Sequence, residues 1–166
     1  MTVINWDDDI TVHAEMDDEN RYLLKAIWSG ALPNITFIML NPSVGRMEHA
    51  DLTLKKCLKF AKSWGYGSMD IVNLFSQIST DSKNLKIPSE EELLKNNLYI
   101  RQAVQNSGKV VLAWGEQKTL YRKRVNEVLN IVPLDKQYCI EKSKSGKFPK
   151  HPLYLKEDLQ LIPWNE

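Results

Sequence analysis

The run Ile35-Thr36-Phe37-Ile38-Met39-Leu40 constrains this chain most, because it ends abruptly at Asn41-Pro42-Ser43. Proline fixes its own φ and drives the residue before it out of the helical region, so a strand stops there. A run this apolar fits a strand buried on both faces, the central kind in parallel sheets. The residues just after such a strand lie at the carboxyl edge of the sheet, where open α/β folds place their ligand crevice. Asp70-Ile71-Val72-Asn73, Leu112-Ala113-Trp114-Gly115 and His151-Pro152-Leu153-Tyr154 also follow or end apolar runs.

The rest of the chain alternates strands with helices. Ile10 to Glu15 and Arg21 to Trp28 flank the acidic tip Asp17-Asp18-Glu19-Asn20, the pattern of an antiparallel hairpin leading into the sheet. A helix is predicted from Asp51, as N-cap, to Ser63, with Leu54, Cys57, Leu58 and Ala61 inward and its lysines in water. Gly65-Tyr66-Gly67 ends it, and Met69 to Asn73 is the next strand. Ser89 and Glu92 form a capping box that opens a helix to about Asn106. Its apolar positions are Leu93, Leu94, Leu98, Ile100 and Val104, and Asn97 interrupts them. Lys109 to Ala113 is a strand. The helix after it turns Tyr121, Val125, Val128 and Leu129 inward and Arg122, Lys123 and Arg124 largely outward. Gln137 to Ile140 is the last expected strand.

Such alternation implies right-handed crossovers and a three-layer α/β/α sandwich around a mainly parallel sheet, with the N-terminal hairpin attached. A single domain is expected over 1–166, the hairpin at 10–28 leading into an α/β core at 35–166.

Composition excludes more than it selects. With 43% hydrophobic and 26% charged residues this is an ordinary globular chain. No window approaches the ~18 consecutive apolar residues of a membrane span. The acidic start Met-Thr-Val-Ile-Asn-Trp-Asp-Asp-Asp lacks the features of a signal peptide. Cys57 and Cys139 read as reduced core thiols, so a cytoplasmic location is expected. Net charge is +1, against a strong non-specific nucleic-acid binder. Its distribution is uneven: residues 1–50 hold three Lys/Arg against eight Asp/Glu, and residues 101–150 hold eleven against four. Such asymmetry marks either a polyanion-facing side or a solvated surface.

Several enzyme classes fall away. The chain has neither a Walker loop nor Gly-x-Gly-x-x-Gly after a strand, and no Gly-x-Ser-x-Gly elbow. His13, His49 and His151 are far apart and no Cys-x-x-Cys occurs, so no zinc site or other metal is expected, and no cofactor.

A polar set at strand ends remains. Asn41, Pro42 and Ser43 offer an amide, a hydroxyl and backbone N–H groups, or simply a turn bonded to itself. Asp51 and Thr53 cap a helix or face the crevice. Asn73 carries donor and acceptor suited to the edge of a base or amide, unless it too only makes a turn. Trp114 and Gly115 form a stacking platform or plain core. His151 reads alone as a surface histidine.

Taken in this order, the motifs resemble a bacterial and phage family catalogued as domain of unknown function 1643. The likeness rests on Arg21-Tyr22-Leu23-Leu24, Met39-Leu40-Asn41-Pro42-Ser43 with Asp51-x-Thr53, Gly65-Tyr66-Gly67 and Asn73-Leu74-Phe75. An asparagine at Asn96 or Asn97, Ala113-Trp114-Gly115 and Gly146-x-x-Pro149-x-His151-Pro152-Leu153-Tyr154 complete it. The motif order is also distantly similar to the uracil-DNA glycosylase superfamily. That resemblance implies a water-positioning Asn41-Pro42, a base-reading Asn73, and a late His151-Pro152 whose histidine donates to the leaving base. This chain departs from the superfamily in having Met39-Leu40 and Ser43 where glycines flank the first motif, and Leu153 where serine follows His-Pro.

Three functions stay open: an N-glycosidic bond hydrolase acting on nucleic acid or a nucleotide, with Asn41 and His151 catalytic; a non-catalytic binder of the same ligands; and a small-molecule enzyme that reuses the fold. The ligand-binding set comprises Pro42, Ser43, Asp51, Thr53, Asn73 and Asn97, with Trp114, Gly115, Pro152 and Leu153. For duplex DNA, Leu153 or Tyr154 would be the wedge and Lys142, Lys144, Lys147 and Lys150 the rim. Nucleic acid or nucleotide is the expected partner, and no membrane.

Overall fold

The architecture comes from a computed structural model that describes residues 2–7, 9–43, 52–79, 81, 85–116 and 118–165. Its strands in chain order are β1 (Thr2–Asp7), β2 (Ile10–Met16), β3 (Arg21–Ile27), β4 (Asn34–Met39), β5 (Ser68–Asn73), β6 (Val110–Leu112), β7 (Gln137–Cys139) and β8 (Ile162–Pro163). The helices are α1 (Leu52–Ser63), α2 (Glu90–Gln105) and α3 (Arg122–Ile131). All the strands join one sheet, ordered β1-β2-β3-β5-β4-β6-β7-β8.

The central strands β5, β4, β6 and β7 run parallel, as the strand–helix alternation implies. The flanks do not. β1, β2 and β3 pair antiparallel and continue onto β5, and β8 closes the far edge antiparallel to β7. The hairpin β2–β3 is therefore part of the main sheet. Neither β1 nor β8 was expected: β1 lies in an acidic stretch, and β8 is too short to carry an alternation signal.

The organising run is buried on both faces. Ile35, Phe37 and Met39 of β4 join Met69 and Ile71 of β5 and Val111 of β6 beneath α1, which contributes Leu54, Cys57, Phe60 and Ala61. Ile38, Val72, Val110 and Leu112 face the other way, against Ile100 and Val104 of α2 and Val128 of α3. Three layers result. Each fully buried Phe, Ile or Leu in these clusters is worth roughly 1.5–3 kcal/mol relative to exposure. β2 alternates buried and half-exposed residues, as an antiparallel strand with one solvated face should.

The capping box of α2 forms as expected: Ser89 Oγ accepts from Glu92 N–H, and the Glu92 carboxylate accepts from Ser89 N–H. Its inner face is rotated from the expected one. Leu94 and Leu98 are each 58% exposed, whereas Asn96, Ile100, Ala103 and Val104 are buried. Arg124 on α3, expected outside, is also buried. Asp51, expected as the cap of α1, falls outside the described residues. Among the described residues no helix is long and apolar enough to cross a membrane.

The crossovers set the site. The first parallel strand, β4, lies between the second, β5, and the third, β6. α1 follows β4 on one face, and α2 follows β5 on the other. The chain thus reverses direction across the sheet between β4 and β6, and ligands of doubly wound sheets bind beyond the carboxyl ends at such a switch point.

Candidate functional site at the switch point

A cleft of about 160 Å³ opens there. Asn41, Pro42 and Ser43 line it from the end of β4, Asn73 from the end of β5, and Trp114 from the end of β6. Thr53 and Leu54 enter from the first turn of α1, and His151 from the C-terminal segment. Segments far apart in sequence thus converge where the strand-end reading placed them. Larger depressions exist elsewhere; this one is distinguished by its place at the carboxyl ends of the parallel strands.

Asn73 is the decisive one. It is 2% exposed, lines the cleft, and its side-chain amide makes no hydrogen bond to the described residues. Among the described residues the side-chain atoms that are both fully buried and unpaired are Asn96 Oδ1 and Arg124 Nη2, so the unbonded Asn73 amide opens onto the cleft. The opposite end of the same strands shows the ordinary situation. There Asp70 accepts from Lys25 at 2.9 Å and from Asn34 at 3.0 Å, and Asn34 also reaches Ser107 at 2.9 Å. Polar groups at the amino end saturate one another; Asn73 at the carboxyl end does not.

The backbone beneath Asn73 is held from several sides. Leu74 N–H donates to Met39 O and Phe75 N–H to Leu40 O, extending the β4–β5 ladder past the strand ends. Asn96 Nδ2 donates to the carbonyls of Asn73 at 3.0 Å and Leu74 at 3.2 Å. Arg124 Nε donates to Leu74 O at 2.6 Å, and its Nη1 reaches Asn97 Oδ1 at 2.8 Å. Burial pushes the Arg124 guanidinium below its ordinary pKa, and Glu127 partly offsets the shift. Asn97, expected at the site, is therefore a partner of Arg124 outside the cleft. The adjacent Asn96, 1% exposed, points under the site instead.

Asn41 is oriented differently from what a water-positioning donor requires. Its Nδ2 donates to the carbonyls of Pro42 at 3.1 Å, Gln77 at 3.4 Å and Ser79 at 2.9 Å. Three carbonyls fix which end of the amide is nitrogen. Oδ1 is left as the acceptor toward water or ligand.

His151 caps the short 3₁₀ turn Pro152–Tyr154, with Nδ1 accepting from Leu153 N–H at 3.3 Å. In the neutral ring that bond places the proton on Nε2, making it a donor. Gly115 stands beside it, with φ +74° and an N–H bonded to Pro149 O at 2.9 Å. A Cβ there would lie 3.5 Å from His151 Cβ, so space is adequate and the positive φ is what requires glycine. Pro152 is buried, Leu153 half-buried and Tyr154 91% exposed.

Arg21 was not among the expected site residues. It opens β3, is 6% exposed and lines the cleft. An arginine opening the run Tyr22-Leu23-Leu24 was the signal available. Met39 and Leu40 also line it, so the side chains standing where glycines were absent help to make the cleft small. Of the expected basic rim, Lys150 pairs with Glu141 at 2.6 Å and Lys142 lies over the Trp164 ring, while Lys144 and Lys147 are exposed. Among the described residues no three His, Cys, Asp or Glu side chains gather as a metal site.

The profile of a family described as a protein of unknown function, DUF1643, matches residues 21–153. The chain belongs to the DUF1643 family. The matched span runs from Arg21 to Leu153 and so contains every cleft residue named above. No curated protein and no solved structure matches the chain. In this DUF1643 member, the cleft presents the side-chain amide of Asn73, an acceptor at Asn41, a ring N–H at His151 and the positive charge of Arg21.

Proposed function

We infer that the cleft binds the hydrogen-bonding edge of a planar heterocycle, a nucleobase free or within a nucleotide, with Asn73 as the reading residue. The observation that carries this is the amide of Asn73, which lines the cleft and bonds to none of the described residues. An amide offers a donor and an acceptor side by side, which matches the edge of a base. A volume near 160 Å³ suits one ring rather than the ~300–1,000 Å³ typical of drug-sized ligands. Trp114 supplies an aromatic wall, and the motif order resembling the uracil-DNA glycosylase superfamily supports the same assignment.

A second reading, hydrolysis of the N-glycosidic bond, is favoured by His151 and Asn41. Water held by Asn41 Oδ1 would bond to the anomeric carbon as the C–N bond breaks and its electron pair leaves with the base. His151 Nε2–H would donate to the charge developing on that base. An amide orients water without taking its proton, so that proton goes to solvent.

The test is thermal stabilisation by free bases, nucleosides and nucleotides, in wild type and Asn73→Ala. A stabilisation of wild type by one class, lost in Asn73→Ala, is expected; no shift with any of them removes the proposal. Release of free base from the stabilising nucleoside or nucleotide, lost in His151→Ala, is the result for hydrolysis. Binding without release leaves a binding protein.

A further inference from the structure

A second depression, about 450 Å³, lies between the start of α3 and the loop before His151. Three aromatic residues line it: Trp114, which it shares with the switch-point cleft, and Phe148 and Trp164, both half-exposed. Three cations line it as well: Lys118, Arg122 and Lys147, all exposed. Lys142 adds a fourth, with Nζ 5.5 Å from the Trp164 ring centroid. Glu116 is the acidic residue among the described lining.

The groove gives a place to the charge asymmetry of the sequence, since Lys118, Arg122, Lys142 and Lys147 all belong to the basic stretch 101–150. Neither α3 nor the 3₁₀ turn Thr119–Tyr121 before it has an acidic first-turn residue or a side-chain cap, which leaves Glu116 as the acidic residue of the described lining against three cations. A membrane surface would require an apolar protrusion, whereas these rings line a concavity ringed by charge.

We propose that this groove binds single-stranded nucleic acid, with bases stacking on Trp164 and Phe148 and phosphates meeting Lys118, Arg122 and Lys147. Aromatic faces interleaved with cations bind single strands with little sequence preference, because every base has a π-face and every linkage a negative charge. Duplex keeps its bases stacked on each other and offers the rings nothing. The shared Trp114 makes a strand in the groove continuous with the cleft. The groove proposal stands on its own residues, however, and does not require a base to enter the cleft.

The test is fluorescence anisotropy of a labelled single strand of about ten thymidylates, a length within the span of known single-strand grooves. Contacts to about three phosphates predict that affinity falls roughly fifteen- to twentyfold as salt rises from about 50 to about 200 mM. Replacing Lys118 and Arg122 together by glutamine, both exposed and with no side-chain bond to the described residues, reduces that salt effect to about threefold and weakens binding at low salt. Trp164→Ala weakens binding about tenfold or more, and Trp164→Phe retains most of it. Lys118, Arg122 and Trp164 line the groove and not the cleft, which separates the two sites. Absence of binding, equal affinity for duplex of the same length, or full affinity in the Lys118/Arg122 double variant overturns the proposal.

Discussion

Three asparagines at the site differ in what their amides do. Asn96 spends its Nδ2 on the carbonyls of Asn73 and Leu74, Asn97 spends its Oδ1 on Arg124, and Asn73 spends neither atom on the described residues. Residues 96 and 97 are about 100° apart around a helix, so only one of them can face the strand ends. That choice was not readable from the sequence, where both asparagines sit among leucines. Asn73 was readable, because it ends an apolar strand in the register that β4 announces. His151 and Gly115 form the other residue-scale pair. Gly115→Ala, with φ at +74°, is expected to cost about 1–2 kcal/mol through backbone strain alone and to leave His151 in place. Urea unfolding together with ligand titration checks both effects. The thiols behave as core. Burial pushes the Cys139 thiol up to about 11, and Cys57 is fully buried. Neither should react with a thiol reagent at neutral pH until the chain unfolds, when both should titrate; prompt labelling of the native protein would contradict their placement.

At the scale of elements, α2 shows how a correct boundary can accompany a wrong face. The Ser89–Glu92 capping box located its start, because a hydroxyl and a carboxylate three residues apart satisfy orphan N–H groups locally. Its buried face was misread because Leu94 and Leu98 are apolar yet exposed, whereas Asn96 is polar yet buried for its bonds to β5. Arg124 was misread on α3 for the same reason: its buried guanidinium holds the Leu74 carbonyl. Polar residues recruited to support a site break the hydrophobic period that pattern reading follows. Ser89→Ala should cost about 1 kcal/mol in thermal or urea unfolding. The Ser89 N–H, and then its hydroxyl, hold the Glu92 carboxyl below its ordinary pKa of 4.5. A lowered folded pKa means that this contribution is complete above the ordinary value and is lost as pH falls through the folded one. The difference between wild type and Ser89→Ala should therefore shrink below about pH 4.5, as denaturation at graded pH would show.

For the whole molecule, the parallel core β5-β4-β6-β7 creates the switch point, and the antiparallel flanks widen the sheet without contributing most of the cleft. The core was legible because buried parallel strands read as continuous apolar runs separated by helical periods. β1 and β8 were not, since edge strands carry weak patterns and are fixed by pairing with what the core already presents. The cleft and the basic groove share Trp114, so the two candidate sites adjoin although their residues are scattered along the chain.

The proposal assigns Asn73 to a ligand rather than to the fold, and urea unfolding of the ligand-free protein puts that assignment at risk. Asn73→Ala removes no hydrogen bond to the described residues and opens onto an existing cleft, so its stability should lie within about 0.5 kcal/mol of wild type or above it. Asn96→Ala, which takes a buried donor from the carbonyls of Asn73 and Leu74, the latter keeping Arg124 Nε, should lose about 2 kcal/mol in the same experiment. A loss of about 2 kcal/mol or more in Asn73→Ala would make Asn73 a structural residue and contradict its assignment to a ligand.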